Sequence, residues 1–294
     1  MAGVPRGSGL AVTVVHACLR DGCGGSPTAV LDDVPRSDEQ RRAIPVQMGT
    51  SHAVFVSAGE DEVSLRFFTA TGELPACGHG TVAALSFLAD RAGTGHYEAT
   101  LRTSGRVFAG RVFAGRVFAG RAEAVQGGFG AAFDPGRVEL REPVVGECDA
   151  VLAALGVGAT DLCVASVGRP RLLVAVPARS DLDAIAPDLD RLRDACEYLR
   201  LLGCYVYCAP NGAGRVAARM FAPAVGVGED IANANSTACL AARLGRDISV
   251  DMGDWLGSPS TITANVRHDG AGVQVRVGGR ATIADVVPLP SRLR

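Results

Sequence analysis

Two segments of the chain share one residue pattern and hold most of the side chains suited to acid–base chemistry. The first runs from Glu73 to Thr81 and contains Cys77-Gly78-His79; the second begins 156 residues later, at Glu229. Each follows an Arg-x-Phe strand pattern and precedes a short apolar helical pattern. We therefore expect two copies of one strand–turn–helix unit, each ending at a helix N-terminus whose N–H groups and dipole favour an anionic ligand.

The imidazole and thiol at the first predicted helix start are groups that can take part in proton transfer beside a bound carboxylate. Such a reaction needs a base that works near neutral pH, donors for the developing negative charge, and exclusion of water. An imidazole meets the first need, because its unperturbed pKa is near 6.5. His79 lies at the first predicted helix start, where the dipole favours the neutral imidazole. Cys77 and Asn233 occupy equivalent positions, but an amide cannot abstract a proton.

Composition excludes several other classes of protein. The 294 residues are 48% hydrophobic and 20% charged, which is enough for a large core, most naturally in two lobes. The net charge of −2, without a basic run, argues against a nucleic-acid partner. No apolar run reaches the roughly 20 residues of a membrane span, and the first eight residues lack an apolar signal core. A cytoplasmic protein without a membrane partner is expected.

The nine cysteines have no metal-ligand or redox spacing. Cys18/Cys23 and Cys204/Cys208 are not CxxC pairs, so neither a zinc knuckle nor a redox dithiol is indicated. We expect reduced thiols, mostly buried. No metal is predicted.

Strand and helix patterns alternate through both halves and predict an α+β architecture. Ser37 to Gln40 is typical of a capping box that opens a helix ending near Met48. Residues 182–202 have helical spacing. Strands are predicted at 11–19, 53–56, 63–68, 171–176, 205–208, 216–221, 261–266 and 273–277.

One segment repeats Arg-Val-Phe-Ala-Gly three times without a gap, starting at Arg106, Arg111 and Arg116. Because strand side chains alternate with period two, a repeat of five residues would point equivalent side chains of successive copies to opposite faces of a sheet. A glycine in every copy also disfavours a helix. We expect a duplication that lengthens a hairpin, either inert or binding through its Arg and Phe residues.

Several motifs, in this order and spacing, resemble the PhzF-type isomerases of phenazine biosynthesis, which share the fold of diaminopimelate epimerase and proline racemase. The resemblance covers nearly the whole chain. It rests on Gly25–Val30, Ser37–Gln40, Thr50–Val56, Arg66–Thr81, Arg219–Pro223, Glu229–Asp230, Gly257–Ser260 and Val277–Gly279.

The resemblance implies two pseudo-symmetric lobes, each a sheet wrapped round a central helix, with a site in the cleft between them. We expect an N-terminal lobe of residues 1–125, to which a short C-terminal strand returns, and a C-terminal lobe of residues 126–294. The resemblance also implies a homodimer that works without a cofactor. Its expected reaction shifts a double bond in a small unsaturated amino or carboxylic acid.

The resemblance also assigns roles to individual residues. His52 stands where the family carries a glutamate as acid/base, so it either replaces that carboxylate as proton shuttle or only binds substrate. His79 matches the family's catalytic-site histidine. Asp230 matches an aspartate that orients a substrate amine or assists proton transfer. The expected substrate-binding residues are Cys77, Gly78, Gly80, Thr81, Asn235, Ser236 and Thr237.

Two alternatives stay open. A racemase or epimerase of the same fold uses two cysteines, one at each helix start, and the second position here is Asn233. A non-catalytic family member could keep the carboxylate-binding site and lose the base. The changed second motif from Glu229 to Asn235 is also compatible with the PhzF-like isomerases of antibiotic pathways that build 4-alkylproline units.

Overall fold

The computed structural model describes residues 11–59, 62–103, 106–108, 111–113, 117–269 and 272–289. The six helices of these residues are α1 Asp38–Met48, α2 Gly78–Ala92, α3 Asp149–Leu155, α4 Arg179–Asp183, α5 Leu189–Tyr198 and α6 Ala234–Leu244. Two short 3₁₀ turns, Pro223–Val225 and Asp254–Leu256, complete the helical structure of the described ranges. Within those ranges, none of the helices combines the length and low polarity needed to cross a bilayer.

The strands of the described residues, in chain order, are β1 Ala11–Leu19, β2 Ser26–Asp32, β3 His52–Ala58, β4 Glu62–Phe68, β5 Glu73–Leu74, β6 His96–Thr103, β7 Arg106–Phe108, β8 Arg111–Phe113, β9 Val117–Val125, β10 Gly128–Phe133, β11 Glu139–Arg141, β12 Asp161–Val167, β13 Arg169–Val176, β14 Cys204–Cys208, β15 Arg215–Ala222, β16 Val227–Asp230, β17 Ile248–Met252, β18 Ser260–Asp269 and β19 Gly272–Pro288. All eight predicted strands and the predicted helices are present, and the α+β class is confirmed.

Contacts divide the chain into two compact units, and the first comprises Met1–Ala17, Ser26–Ala131 and Ala281–Arg294. Its sheet has the order β1-β2-β3-β4-β6-β9, with β5 paired to β4. The pairs β2–β3 and β4–β6 are parallel, because α1 and α2 respectively connect them. Helix α2 packs on strands β2, β3, β4, β6 and β9, so this sheet surrounds it.

The second unit comprises Cys18–Gly25 and Ala132–Arg280. Its sheet has the order β11-β12-β13-β14-β15-β17-β18-β19, with β16 paired to β15. Parallel pairs β13–β14 and β15–β17 again flank the helical crossovers. Helix α6 follows β16 as α2 follows β5, and it packs on β11, β12, β13 and β18. The second unit therefore repeats the strand order and pairing directions of the first.

The central helix of each unit is buried on nearly every face. Every residue from Gly78 to Ala89 in α2 is buried, as are eight of the eleven residues of α6. A helix that is apolar all round must lie inside a core. Burial of each large aliphatic side chain contributes about 1.5–3 kcal/mol, which explains why small and aliphatic residues dominate both helices.

Helix α1 begins as the sequence predicts. The Ser37 hydroxyl accepts from the Gln40 N–H at 3.2 Å, and the Gln40 side chain accepts from the Ser37 N–H at 2.9 Å. Gly49 ends the helix in the left-handed region, with φ 63°. The helix that this capping box opens packs on β3, the strand that carries His52.

The repeated pentapeptide forms strands, but its copies are not equivalent. Arg-Val-Phe of the first and second copies forms β7 and β8, which pair with each other as a separate two-stranded sheet. The third copy begins β9, which pairs with β6 in the main sheet of the first unit. The predicted non-equivalence of the copies is confirmed in the described part of the repeat, whereas the lengthening of a hairpin stays a prediction; residues 109–110 and 114–116 lie outside the described ranges.

Candidate functional site

The start of α2 carries the main chemical side chains of the first unit. Cys77 is the N-cap residue and makes no side-chain cap. Its carbonyl oxygen accepts from both the N–H and the hydroxyl of Thr81, at 2.9 and 2.8 Å. Because the thiol does not cap the helix, the N–H groups of the first turn are left without this usual partner.

Two imidazoles meet at this helix start. The His79 Nε2 and His52 Nδ1 atoms are 3.0 Å apart, with the rings edge to face and their centroids 4.4 Å apart. Strand β3 begins at His52, and α2 contacts that strand directly. Both rings are buried, at 3% and 2% exposure. A contact between residues 27 positions apart is therefore fixed by the packing of α2 on β3.

The hydrogen bonds of His52 leave one ring nitrogen available. Its Nδ1 also contacts the Ser51 hydroxyl at 2.9 Å, and Ser51 in turn lies 3.4 Å from the hydroxyl of Ser26. Within the described part of the chain, its Nε2 makes no hydrogen bond. A neutral imidazole has one N–H and one lone pair. If Nδ1 donates in its contacts, Nε2 carries the lone pair and can accept a proton; if Nδ1 accepts, Nε2 carries the N–H.

Burial keeps His52 neutral. Loss of hydration, and after it the electrostatic effect of the neighbouring His79, lowers the pKa of His52 well below its usual 6.5. At neutral pH the ring therefore carries one lone pair, which lies on Nε2 when Nδ1 holds the proton. Such a ring can accept a proton or bind a cation.

A thiol completes this group. The Cys77 Sγ lies 3.4 Å from His79 Nε2, and one donor atom each from His52, Cys77 and His79 lie within 4.8 Å of one another. We call these three side chains the α2 cluster. All three are buried, and imidazole and thiol are ligand types that bind zinc.

The start of α6, in the second unit, is organised differently. Asn233 is the N-cap, and its Oδ1 accepts from the Ser236 N–H at 3.0 Å. Its Nδ2 donates to Asp230 Oδ2 at 2.9 Å, while Asp230 Oδ1 accepts from the Ala232 N–H at 3.4 Å. The buried Asp230 carboxylate is thus held against the helix start.

The hydroxyl groups near the start of α6 bond within the second unit. Ser236 Oγ accepts from Arg171 Nη1 at 3.2 Å, and Thr237 Oγ1 donates to the Asn233 carbonyl at 3.1 Å. Thr237 Oγ1 also lies 2.9 Å from the buried Tyr205 hydroxyl. Asn235 is only half-buried. Its side chain is therefore the more accessible donor of this turn.

A bidentate ion pair supports each helix start. Arg66 Nε and Nη2 donate to the two carboxylate oxygens of Glu73 at 3.0 and 2.8 Å. Arg219 makes the same pair with Glu229 at 2.9 and 2.8 Å. Planar bidentate pairing fixes each strand to its following turn. Glu73 is therefore a structural carboxylate.

The structure places the predicted site residues in two groups. The first unit brings together His52, Cys77, Gly78, His79, Gly80 and Thr81, and the second brings together Asp230, Asn235, Ser236 and Thr237. That the two groups face one substrate stays a prediction.

Sequence reasoning missed two contacts at these helix starts. Ser51 lies in the Thr50–Val56 motif, but no role was assigned to it from the sequence. Arg171 lies in the predicted strand 171–176, but nothing in the pattern shows that it reaches the first turn of α6.

Known proteins resemble this chain over most of its length. A family model described as phenazine biosynthesis-like protein matches residues 16–285. The uncharacterized isomerase YddE of Salmonella typhimurium is 28% identical over 281 residues, covering 88% of this chain and 91% of that protein. The trans-2,3-dihydro-3-hydroxyanthranilate isomerase of Pseudomonas aeruginosa is 29% identical over 288 residues, covering 89% and 91%.

Solved structures share the fold. A PhzF-family phenazine biosynthesis protein of Bacillus anthracis aligns with a TM-score of 0.78 at 16% identity, covering 96% of this chain and 99% of that one. A hydroxyproline epimerase of Agrobacterium vitis aligns with a TM-score of 0.62 at 12% identity, covering 94% and 89%. These two likenesses show the fold alone. The match of the family model over most of the chain shows more: the chain belongs to the phenazine biosynthesis-like PhzC-PhzF family and is an isomerase.

Proposed function

We propose that this isomerase shifts a double bond in a small unsaturated amino or carboxylic acid, with His52 as proton shuttle and no cofactor. The observation that carries the proposal is the buried contact between His52 Nδ1 and His79 Nε2 at 3.0 Å. It orients the His52 ring and leaves its Nε2 without a hydrogen-bond partner among the described residues. A relative of the chain is named for the isomerisation of an unsaturated amino acid, which supports the substrate class.

The proposed reaction is redox-neutral. His52 Nε2 takes a proton from an sp³ carbon, and the electron pair of the broken C–H bond becomes the new double bond. The former π pair then takes the proton from His52 at the far carbon. Negative charge develops on the substrate between the two steps, and uncapped N–H groups at the start of α2 would stabilise it. His79 holds the shuttle in place through its contact with His52.

The other predicted site residues have supporting roles in the proposal. Gly78 and Gly80 offer backbone N–H groups to a carboxylate, and Asn235 offers its half-exposed amide. Asp230 orients an amine of the substrate. The hydroxyls of Thr81, Ser236 and Thr237 are bonded within their own units, so we assign to these residues the shaping of the two helix starts.

Deuterium incorporation tests the proposal. The protein would be incubated in heavy water with trans-2,3-dihydro-3-hydroxyanthranilate and with a panel of unsaturated pyrroline-type acids. We expect product with the shifted double bond for one of these acids, with deuterium at the newly saturated carbon in the fraction of turnovers in which the proton on His52 exchanges with solvent before it is returned. Because a positioned acid–base group contributes about 100- to 10,000-fold, His52→Gln should lower turnover by that factor. His52→Glu, which restores the family carboxylate, should recover part of it.

The outcomes also separate the alternatives. Turnover undiminished in His52→Gln would overturn the assignment of the base. Binding of these acids without any proton exchange would favour a non-catalytic binder. Inactivation by thiol alkylation with substrate protection would favour a racemase through Cys77. Against this last function, the position equivalent to Cys77 holds Asn233, whose amide already caps α6 and bonds Asp230.

Three further predictions accompany the proposal. A homodimer is predicted from the family resemblance, and sedimentation would test this oligomeric state.

The changed motif from Glu229 to Asn235 supports a place in antibiotic biosynthesis. Turnover of a pyrroline-type acid in preference to trans-2,3-dihydro-3-hydroxyanthranilate would test this assignment. A cytoplasmic location stays a prediction.

A further inference from the structure

The α2 cluster has a composition that proton transfer alone does not require. His52, from strand β3, adds an imidazole to the Cys77-Gly78-His79 turn. Two imidazoles and one thiol, all buried, are thereby brought to one point. These are the ligand types of His/Cys zinc sites.

The distances within the cluster suit a small tetrahedral ion. Zinc binds imidazole nitrogen at about 2.0–2.1 Å and sulfur at about 2.3 Å, so tetrahedral angles separate two nitrogens by about 3.3 Å and nitrogen from sulfur by about 3.6 Å. The observed separations are 3.0 Å between the two nitrogens and 3.4 Å between His79 Nε2 and Cys77 Sγ. All three donor atoms lie within 4.8 Å of one another. Shifts of a few tenths of an ångström, and a closer approach of Cys77 to His52, complete the site.

The scaffold holds these donors rigidly. Cys77 is the N-cap of α2 and His79 its second residue, so both come from one turn of a buried helix. His52 is the first residue of β3, in the sheet that packs on that helix. A preformed site of this kind needs little rearrangement when it binds an ion.

The two facing nitrogens share a single bridging proton, and a cation can take the place of that proton. We propose that His52 Nδ1, Cys77 Sγ and His79 Nε2 together bind one Zn²⁺ ion. A thiolate with two imidazoles selects zinc over magnesium or calcium, which prefer oxygen ligands. When the ion binds, Cys77 loses its thiol proton. The negative charge of the resulting thiolate is stabilised by the ion and by the positive end of the helix dipole. Three protein ligands leave a fourth position for water or a substrate oxygen.

Zinc binding has a consequence that rests on the proposed function. When Nδ1 binds the ion, Nε2 of the same neutral ring carries the proton and has no lone pair to accept another. The ion and the proton shuttle therefore compete for His52. We expect Zn²⁺ to inhibit the isomerase and a chelator to restore its turnover.

Cobalt provides the test of binding, because Co²⁺ replaces zinc and reports its ligands by absorption. Chelator-treated full-length protein would be titrated with Co²⁺ alone. We expect one equivalent to bind with a thiolate-to-cobalt charge-transfer band and intense tetrahedral d–d bands, both abolished by Zn²⁺. Removing even an outer-shell partner costs about tenfold or more in affinity, so His52→Gln should weaken binding at least tenfold. Cys77→Ser should remove the charge-transfer band.

Controls distinguish this site from other thiols. Cys23 is exposed and unpaired with another cysteine, so Cys23→Ser should leave the spectrum unchanged. Circular dichroism would establish that each variant is folded, with Cys77→Ala as a second thiol-free variant. Absence of the charge-transfer band in the parent protein, or its survival in both Cys77 variants, would overturn the metal site.

Activity measurements separate this proposal from the proposed function. If Co²⁺ and Zn²⁺ bind to the α2 cluster and turnover is unaffected, the metal site stands and His52 is not the base. If no metal binds and His52→Gln still abolishes turnover, the metal site fails and the proton shuttle stands.

Discussion

The starts of α2 and α6 are built on one frame but carry different chemistry. In each, the N–H and the hydroxyl of a threonine both donate hydrogen bonds to the carbonyl of the N-cap residue: Thr81 to Cys77, and Thr237 to Asn233. In each, an Arg–Glu pair joins the preceding strand to the turn. The N-cap side chains differ, because Asn233 satisfies its helix and Cys77 does not.

This difference shows which part of the duplicated unit is structural. The ion pair and the threonine contacts are the same in both units, since they hold the strand–turn–helix geometry. The residues that follow the N-cap have diverged: His79 corresponds to Asn235, and Gly80 to Ser236. One helix start is left for chemistry with two imidazoles and a thiol, while the other bonds its polar side chains to one another.

The two ion pairs offer the largest expected contrast in stability. Arg219 is 7% exposed and also donates to the Leu182 and Ile185 carbonyls, at 3.1 and 2.8 Å. Arg219→Met leaves the half-buried Glu229 carboxylate without its partner and the Leu182 and Ile185 carbonyls without their donor, which together should cost about 3–5 kcal/mol. Arg66 is 21% exposed and donates to the carboxylates of Glu73 and Asp38 rather than to backbone carbonyls. Arg66→Met should therefore cost less, about 2 kcal/mol, although it takes this partner from the buried Glu73 carboxylate. Urea denaturation of both variants measures the difference, and equal costs would show that the two pairs are energetically equivalent.

Gly80 tests how closely α2 packs on its sheet. A Cβ at this position would lie 3.0 Å from both Cys77 Sγ and Phe67 Cδ1, and 3.1 Å from Val54 Cγ2. Gly80→Ala should therefore cost about 1–3 kcal/mol through overpacking. Gly158→Ala is the matched control, because nothing lies within 4 Å of its added methyl, and it should change stability by less than about 0.5 kcal/mol. If Gly80→Ala changes stability as little as the control does, the space between α2 and its sheet at Gly80 is large enough for a methyl group.

The N-cap positions provide the smallest but most direct test of the comparison. Asn233→Ala removes both the cap and a donor to Asp230, and should cost about 1–2 kcal/mol. Cys77→Ser introduces a hydroxyl acceptor where the thiol makes no cap, and should stabilise the protein by up to about 1 kcal/mol. Thermal unfolding followed by circular dichroism gives both values. A loss of stability in Cys77→Ser would mean that the thiol has a structural role after all.

Local sequence was sufficient to predict most of the secondary structure and some of its boundaries. The capping box of Ser37 and Gln40 set the start of α1, because both partners lie within one turn. The echo between residues 73–81 and 229–237 placed Cys77 and Asn233 at equivalent positions, and both are N-caps. The period of five in the repeat excluded equivalent packing, and only its third copy joins the main sheet.

Contacts between distant residues were beyond prediction from the pattern. Arg171 reaches Ser236 across 65 positions only because β13 lies beside α6. Similarly, the sequence showed no metal-ligand spacing for His52, since 25 residues separate it from Cys77.

The sequence by itself determined the duplicated strand–turn–helix unit, the family and the chemical types at each helix start, because residue type, periodicity and capping are local properties. Only the tertiary structure decided that the imidazoles of His52 and His79 touch, that a thiol joins them, and that Asn233 is occupied by its own helix. Those contacts depend on how a buried helix packs within its sheet, and packing depends on the whole unit at once.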